Sequence, residues 1–232
     1  MLELGLNSEM NKSAVITGVS SGIGRGIAKH LLDSRYNVIG LSRSKCLDSK
    51  IIEHPNYSWI HYDAQKSSTL SRVTDALSEN KVELLVNCAG VFTPDTEGFT
   101  ENSLTEHMKI NFFAPSLLTQ TLMPNLRAAE KSRVINISSA SGVRIKNGNL
   151  SYNASKHALE ALTKTINKNE RENNVFSTSI QPSIVATPMA KYHLESGKSA
   201  LPVSDIVSIV EMLINLSNFA HIESVKVTIG PE

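Results

Sequence analysis

Short runs of apolar and β-branched residues alternate along this chain with longer stretches in which apolar positions recur every three or four residues. The short runs are Ser13–Thr17 (SAVIT), Tyr36–Ser42 (YNVIGLS), Tyr57–Tyr62 (YSWIHY), Val82–Asn87 (VELLVN), Arg133–Ser138 (RVINIS), Val175–Gln181 (VFSTSIQ) and Ser224–Ile229 (SVKVTI). Strands buried on both faces read as continuous apolar runs, and these runs read as such strands. Between them, Ile23–Arg35, Leu70–Ser78, Ser103–Leu126, a stretch starting near Ser151, and Ser204–Leu216 carry the helical period. Pro115 and Pro124 mark irregularities or turn edges in the third of these. Strand–helix alternation of this kind predicts an α/β fold, one doubly wound parallel sheet of about seven strands with helices on both faces.

Length and composition sharpen that expectation. The chain has 232 residues, within the roughly 200–250 that a single α/β domain often occupies. No internal repeat or low-complexity linker divides it, so one domain over 1–232 is expected. The formal net charge is +1, from 23 basic and 22 acidic residues, and aromatic residues make up 5%. Without a basic stripe or aromatic platforms, a nucleic-acid partner is disfavoured. Cys46 and Cys88 are the two cysteines; neither their number nor their spacing suggests a disulfide framework, and no histidine arrangement suggests a metal site. The start, MLELGLNSEMNK, lacks the basic and apolar regions of a signal peptide, and no run approaches the ~18 apolar residues of a membrane span. The expected setting is soluble, reducing and cytoplasmic, with residues 1–12 a loose leader.

In a doubly wound sheet, ligands bind beyond the carboxyl ends of the strands. The first such end carries TGVSSGIG, Thr17–Gly24. Gly18, Gly22 and Gly24 permit unusual dihedrals and close approach of backbone to a ligand, and the free N–H groups of the following helix suit a pyrophosphate. A tight structural turn is the alternative. Further on, SYNASKHAL places Tyr152 four residues before Lys156. On a helix the two side chains share a face. An ammonium there is expected to lower the tyrosine pKa, as proton transfer near neutral pH requires.

Together, TGVSSGIG and YNASK resemble the short-chain dehydrogenase/reductase family, whose fold is a Rossmann-type sheet. Further motifs follow in register. NCAG (Asn87–Gly90) is similar to the family's Asn-Asn-Ala-Gly, with Cys88 in place of the second Asn. KIN ends in Asn111, matching the active-site asparagine; NISS precedes Tyr152 at the family's separation; QPSIVATPM (Gln181–Met189) is similar to its Pro-Gly-x-x-x-Thr segment. The resemblance implies Tyr152 as acid/base, Lys156 as its partner and ribose contact, Ser139 on the substrate oxygen, and Asn111 as holder of a relay water. Ser139 lies thirteen residues before Tyr152, as the family spacing asks; Ser138 is expected to point away, and Ser141 is a weaker rival. The implied cofactor contacts are Gly18, Ser20, Ser21, Gly22, Ile23, Gly24, Asp63, Ala64, Asn87, Ala89, Gly90, Tyr152, Lys156, Pro182, Ile184 and Thr187. For Asp63, capping a helix is the alternative to an adenine contact. Ser183 stands where the family has glycine, which puts the nicotinamide pose in question. Cys88 is read as a small buried hydrophobe.

The second strand ends GLSRSK. Ser42 occupies the place of the acid that binds the ribose 2′-hydroxyl in NAD enzymes, and Arg43 follows. A hydroxyl and a guanidinium suit a 2′-phosphate, with Lys45 as a further donor, so the expected cofactor is NADP(H). The expected function is hydride transfer between that cofactor and a carbonyl or alcohol; use of NAD(H), or a dinucleotide-binding sensor or scaffold, stays open. Val91–Asn102, Gly142–Leu150 and residues 188–203 are expected to wall the substrate. The last is read as a lid with Gly197 as hinge and Tyr192 or His193 facing inward. Arg144 and Lys146 either favour an anionic substrate or solvate their loop. Resemblance also implies a homodimer or homotetramer joined through the helices at Ser103–Leu126 and Ser151–Lys168.

Overall fold

The computed structural model describes residues 12–77, 80–95, 97–145, 149–217 and 219–230. Among them one sheet is built from β1 (Ser13–Thr17), β2 (Asn37–Ser42), β3 (Tyr57–His61), β4 (Leu84–Asn87), β5 (Ser132–Ile137), β6 (Val175–Pro182) and β7 (Ser224–Val227). The spatial order is β3-β2-β1-β4-β5-β6-β7, and each neighbouring pair is parallel. All residues of β4 and β5 are buried, which is why these runs show no polar alternation. Chain order reverses between β1 and β4, so their carboxyl ends open a crevice at the switch point.

The helices are α1 (Gly22–Asp33), α2 (Ser49–Ile52), α3 (Leu70–Leu77), α4 (Glu101–Met108), α5 (Ala114–Arg127), α6 (Leu150–Glu170), α7 (Lys191–Glu195) and α8 (Val203–Ile214). Successive strand residues feed opposite layers. Ile16, Val86 and Ile135 pack with Ile27 and Leu31 of α1 and Ile206 and Val210 of α8. Their neighbours Val15, Leu85 and Val134 pack with Val73 of α3, Leu118 and Leu122 of α5 and Ile166 of α6.

Two elements differ from the sequence expectation. The helix expected over Ser103–Leu126 is interrupted by a π turn at Lys109–Phe113. Pro115 has no N–H to give the carbonyl of Asn111, so the α pattern cannot pass unbroken through this point. One turn along, the hydroxyl of Ser116 donates to the Phe112 carbonyl at 2.7 Å. Pro124, by contrast, lies inside α5 without ending it; the carbonyl left without its N–H belongs to exposed Gln120. The helix expected to reach Arg35 stops at Asp33, because Arg35 turns left-handed (φ 63°). Its N–H and that of Tyr36 bond back to the carbonyls of Leu32 and Leu31, closing the helix end as a glycine usually would. The short α2 and α7 had too few periods to be seen in the sequence. Ser78, at the expected end of α3, and residues 1–11 of the expected leader lie outside the described residues. Lys12 accepts the Asn37 N–H at 2.8 Å.

Candidate active site

A cleft of about 600 Å³ opens over the carboxyl ends of the central strands. Its floor is the turn from β1 into α1. Gly18 and Gly22 have φ of +77° and +55°, conformations that favour glycine. A Cβ on Gly24 would stand 2.5 Å from the carbonyl oxygen of Gly18, so this turn closes only on a residue without one. The first turn of α1 carries no acidic residue, and Ser21 makes no side-chain cap. The N-terminus of α1 therefore faces the cleft with its amide donors and dipole uncompensated by the protein, the arrangement that suits a phosphate group. Thr17 braces the floor: its hydroxyl oxygen accepts the N–H groups of Cys88 and Ala89, each at 2.9 Å.

Ser139 ends the run from β5 and starts a 3-10 turn, accepting the Ser141 N–H at 3.1 Å. Its hydroxyl hydrogen-bonds the phenol of Tyr152. Burial holds that phenol above its ordinary pKa, the Ser139 bond pulling the other way. The lowering expected from Lys156 is not found: burial and the Ser139 bond are what act on the phenol. The physical reason is placement: Nζ of Lys156 donates to the Ile137 carbonyl at 2.9 Å and lies 5.8 Å from the Tyr152 ring centre. Burial in turn pulls Lys156 down to about 8, with Cys88 and Glu160 opposing. Ser138 lines the same cleft but sets its hydroxyl toward Gly142, whose Cβ position is 2.7 Å away.

Asn111 sits in the π turn, buried behind the wall rather than on it. Its carboxamide pins Val91 at both ends, accepting the N–H at 2.9 Å and donating to the carbonyl at 3.0 Å. It also donates to Ser155, which bonds the Tyr152 carbonyl. Asn87 likewise does not line the cleft, contrary to the sequence expectation. Its buried amide instead donates to Asn136 and Thr119 at 2.8 and 3.1 Å.

The remaining expected contacts, Gly18, Ser20, Ser21, Gly22, Ile23, Gly24, Ser42, Arg43, Asp63, Ala64, Ala89, Gly90, Pro182, Ile184 and Thr187, all line the cleft with Tyr152 and Lys156. At the far corner, Ser42 is already committed. Its hydroxyl donates to the Ser44 carbonyl at 2.7 Å and accepts from Trp59 Nε1 at 2.9 Å. The donors that remain at that corner are exposed Arg43 and Ser44. Lys45 instead lies over the Trp59 ring, 5.5 Å from its centre. Asp63 both lines the cleft and caps a turn, accepting the Gln65 N–H at 3.0 Å. Ser183 raises no backbone difficulty: its φ is not positive and its N–H continues the ladder to Val227 at 2.8 Å. Burial pushes the Cys88 thiol up to about 12, as for an inert small hydrophobe.

The model of the short chain dehydrogenase family matches residues 12–197. The chain belongs to the short-chain dehydrogenase family. Its parallel sheet is the family's Rossmann-type sheet. Agropine synthesis reductase of Rhizobium rhizogenes is 32% identical over 225 residues, covering 92% of this chain and 52% of that protein. The chain thus spans about half the length of this curated relative. In fold it resembles 4-hydroxyisoleucine dehydrogenase complexed with NADH (TM-score 0.80, 24% identity, 94% and 97% of the two chains). It resembles ElxO with NADP bound equally well (TM-score 0.83, 19% identity, 94% and 98%).

Val91, Phe92, Met189, His193 and Lys198 also line the cleft. The Phe92 ring packs edge-on to Tyr152 with centres 5.0 Å apart and against His193 at 5.2 Å. Residues 188–200 form an excursion tied at its base, where Val185 pairs with Leu201. Gly197 (φ +76°) ends α7, and the Gly197 and Lys198 N–H groups bond back to Leu194 and His193. This close turn brings Lys198 back to the cleft. His193 faces inward and Tyr192 is exposed. Arg144 is exposed and absent from the lining; Lys146 lies outside the described residues. Sequence reasoning missed Thr17, Phe92, Asp95 and His107. Thr17 opens the quoted glycine motif and the other three fall in none; only the long-range contacts show what they hold. No group of side chains among the described residues could hold a metal, and no described helix is long and apolar enough to cross a membrane.

Proposed function

We propose that this dehydrogenase interconverts a carbonyl and an alcohol with NADP(H), Tyr152 serving as acid and base. The observation that carries the reading is the Ser139–Tyr152 hydrogen bond beside buried Lys156, in one cleft with the uncapped start of α1. When bound, NADP(H) supplies or takes the hydride. The turn Gly18–Gly24 holds its pyrophosphate, Asp63 and Ala64 flank the adenine, and Ala89 and Gly90 run beside the ribose. Pro182, Ile184 and Thr187 support the nicotinamide end, where Lys156 bonds the ribose. Tyr152 gives its proton to the substrate oxygen in reduction and takes it back in oxidation, while Ser139 hydrogen-bonds that oxygen. Asn111 supports this by fixing Val91 and, through Ser155, the turn of α6 that carries Tyr152.

The NADP(H) preference rests on Arg43 and Ser44 at the end of β2, with Ser42 in place of an acid. The engaged hydroxyl of Ser42 weakens one donor and favours NAD(H) as the second reading. Reduction is the favoured direction, in keeping with a reductase among the relatives. The substrate is a small molecule, covered by residues 188–203 acting as a lid. Chains pair through α4, α5, the π turn between them and α6, where Phe113 and Leu117 are each 47% exposed.

The test is loss of NADPH absorbance with a panel of ketones, aldehydes, diketones and oxo acids. Turnover is expected on part of the panel, and none on any member would overturn the reading. Arg43→Ala should weaken NADPH binding about tenfold, as loss of one charge-assisted phosphate contact does, and leave NADH unchanged. Tighter binding of NADH than NADPH by the wild type would reverse the cofactor assignment.

A further inference from the structure

The segment from Val91 to Asp95 is held at every second residue. Asn111 pins Val91 by its N–H and carbonyl. His107, fully buried, accepts the Thr93 N–H on Nε2 at 3.1 Å, while Nδ1 lies 2.7 Å from the Ser103 carbonyl. Asp95, 9% exposed, accepts the Ser151 N–H on Oδ2 at 2.9 Å and the Ser151 hydroxyl on Oδ1 at 3.2 Å. The Ser103 hydroxyl is 3.3 Å from the same Oδ1 and 2.8 Å from the Ser151 hydroxyl. Between these anchors Phe92 faces the cleft and meets the Tyr152 ring.

Two helix starts converge on this one carboxylate. Ser103 belongs to the capping box of α4, formed with Thr100. Ser151 is the second residue of α6, and Tyr152 is the third. The residue before α6, Asn149, makes no side-chain cap and has φ −143° and ψ 41°. The start of α6 therefore takes its capping acceptor from 56 residues away in the chain. A carboxylate there satisfies an orphan donor and complements both helix dipoles. His107 then packs edge-on to the far side of the Tyr152 ring, with centres 6.1 Å apart.

We propose that Asp95 is a positioning residue for Tyr152: it caps the first turn of α6 from outside the helix and so fixes the phenol against Ser139, Phe92 and His107. Asp95 does not line the cleft. Its effect on turnover passes through the backbone of Ser151, next to Tyr152. This rests on Tyr152 being the acid/base, so the test has one arm that needs no turnover.

In that arm, protein carrying 13Cζ-tyrosine is compared by NMR as wild type, Asp95→Asn and Asp95→Ala. The chain has five tyrosines, and Tyr152→Phe assigns the relevant signal. Asp95→Ala should move or broaden the Tyr152 resonance and leave the other four in place. Asp95→Asn keeps an acceptor for the Ser151 N–H and should fall between. In the kinetic arm, Asp95→Ala should lower kcat tenfold or more with NADPH Kd within twofold, and Asp95→Asn should recover part of the loss. An unmoved Tyr152 resonance overturns the proposal. So does a kcat within twofold of wild type, or a loss of kcat matched by equal loss of cofactor binding. If the wild type turns over nothing, the reductase reading fails and the resonance alone decides the placement.

Discussion

At Lys156 the sequence shows a partner for Tyr152 and the structure shows what that partner costs. Burial brings its pKa to about 8, below the roughly 10.4 of an unfolded lysine. In that interval the unfolded chain binds the extra proton, so this group makes stability rise as pH increases. Above about 8.5 Cys88 acts oppositely, and above about 10 Tyr57 and Tyr62 join it, since burial pushes each to about 12 in the folded chain. Between pH 8 and about 10 the Lys156 contribution alone is about 2 kcal/mol, and it is read as a difference between two proteins that share the other groups. Denaturant unfolding should show wild type gaining that much stability relative to Lys156→Met across the interval; parallel curves would refute the placement of the ammonium. That Tyr152, Lys156 and Ser139 line one cleft was legible from the family motifs they match. The direction of the Tyr152 shift was not, because desolvation depends on what the fold packs around the phenol. The same holds for Ser42, whose hydroxyl is claimed by Trp59 on a neighbouring strand.

The elements tell a similar story. Strands were legible wherever both faces are buried, as in β4 and β5. The break between α4 and α5 was foreshadowed by Pro115, but its form as a π turn, which sets Asn111 against Val91, was not. The turn between β1 and α1 was legible from its three glycines, and the structure packs it closely. A Cβ on Gly24 would meet the Gly18 carbonyl oxygen at 2.5 Å and the Thr17 carbonyl oxygen at 3.0 Å, both backbone atoms that cannot swing aside. Gly24→Ala should therefore open the turn, costing about 1–3 kcal/mol of stability, the range for overpacking, and most of the dinucleotide affinity. Calorimetry of the variant checks both; unchanged dinucleotide affinity would show that the turn is not the cradle.

Across the whole molecule, the sheet brings together groups far apart in sequence, and the layer of α3, α5 and α6 is held at its rim as well as in the core. Arg127 at the end of α5 grips Glu170 at the end of α6 through two bonds of 2.7 Å. The Arg127 hydrogen bonds hold the Glu170 carboxyl below its ordinary value, against desolvation. The contribution is present above the unfolded carboxylate pKa, about 4.3, and is lost as pH falls through the lower folded value. Glu170→Gln should be less stable than wild type at pH 7, and the two unfolding curves should converge below about pH 4. A difference that persists there would assign the effect to packing instead. The central claim is that one phenol moves the proton while the cleft holds the coenzyme. Its most direct measurement is single-turnover NADPH oxidation by Tyr152→Phe on a substrate that the wild type reduces. The rate should fall about 10²–10⁴-fold, the usual worth of a general acid, with NADPH Kd within threefold. A variant that keeps turning over within a few-fold of wild type would contradict it.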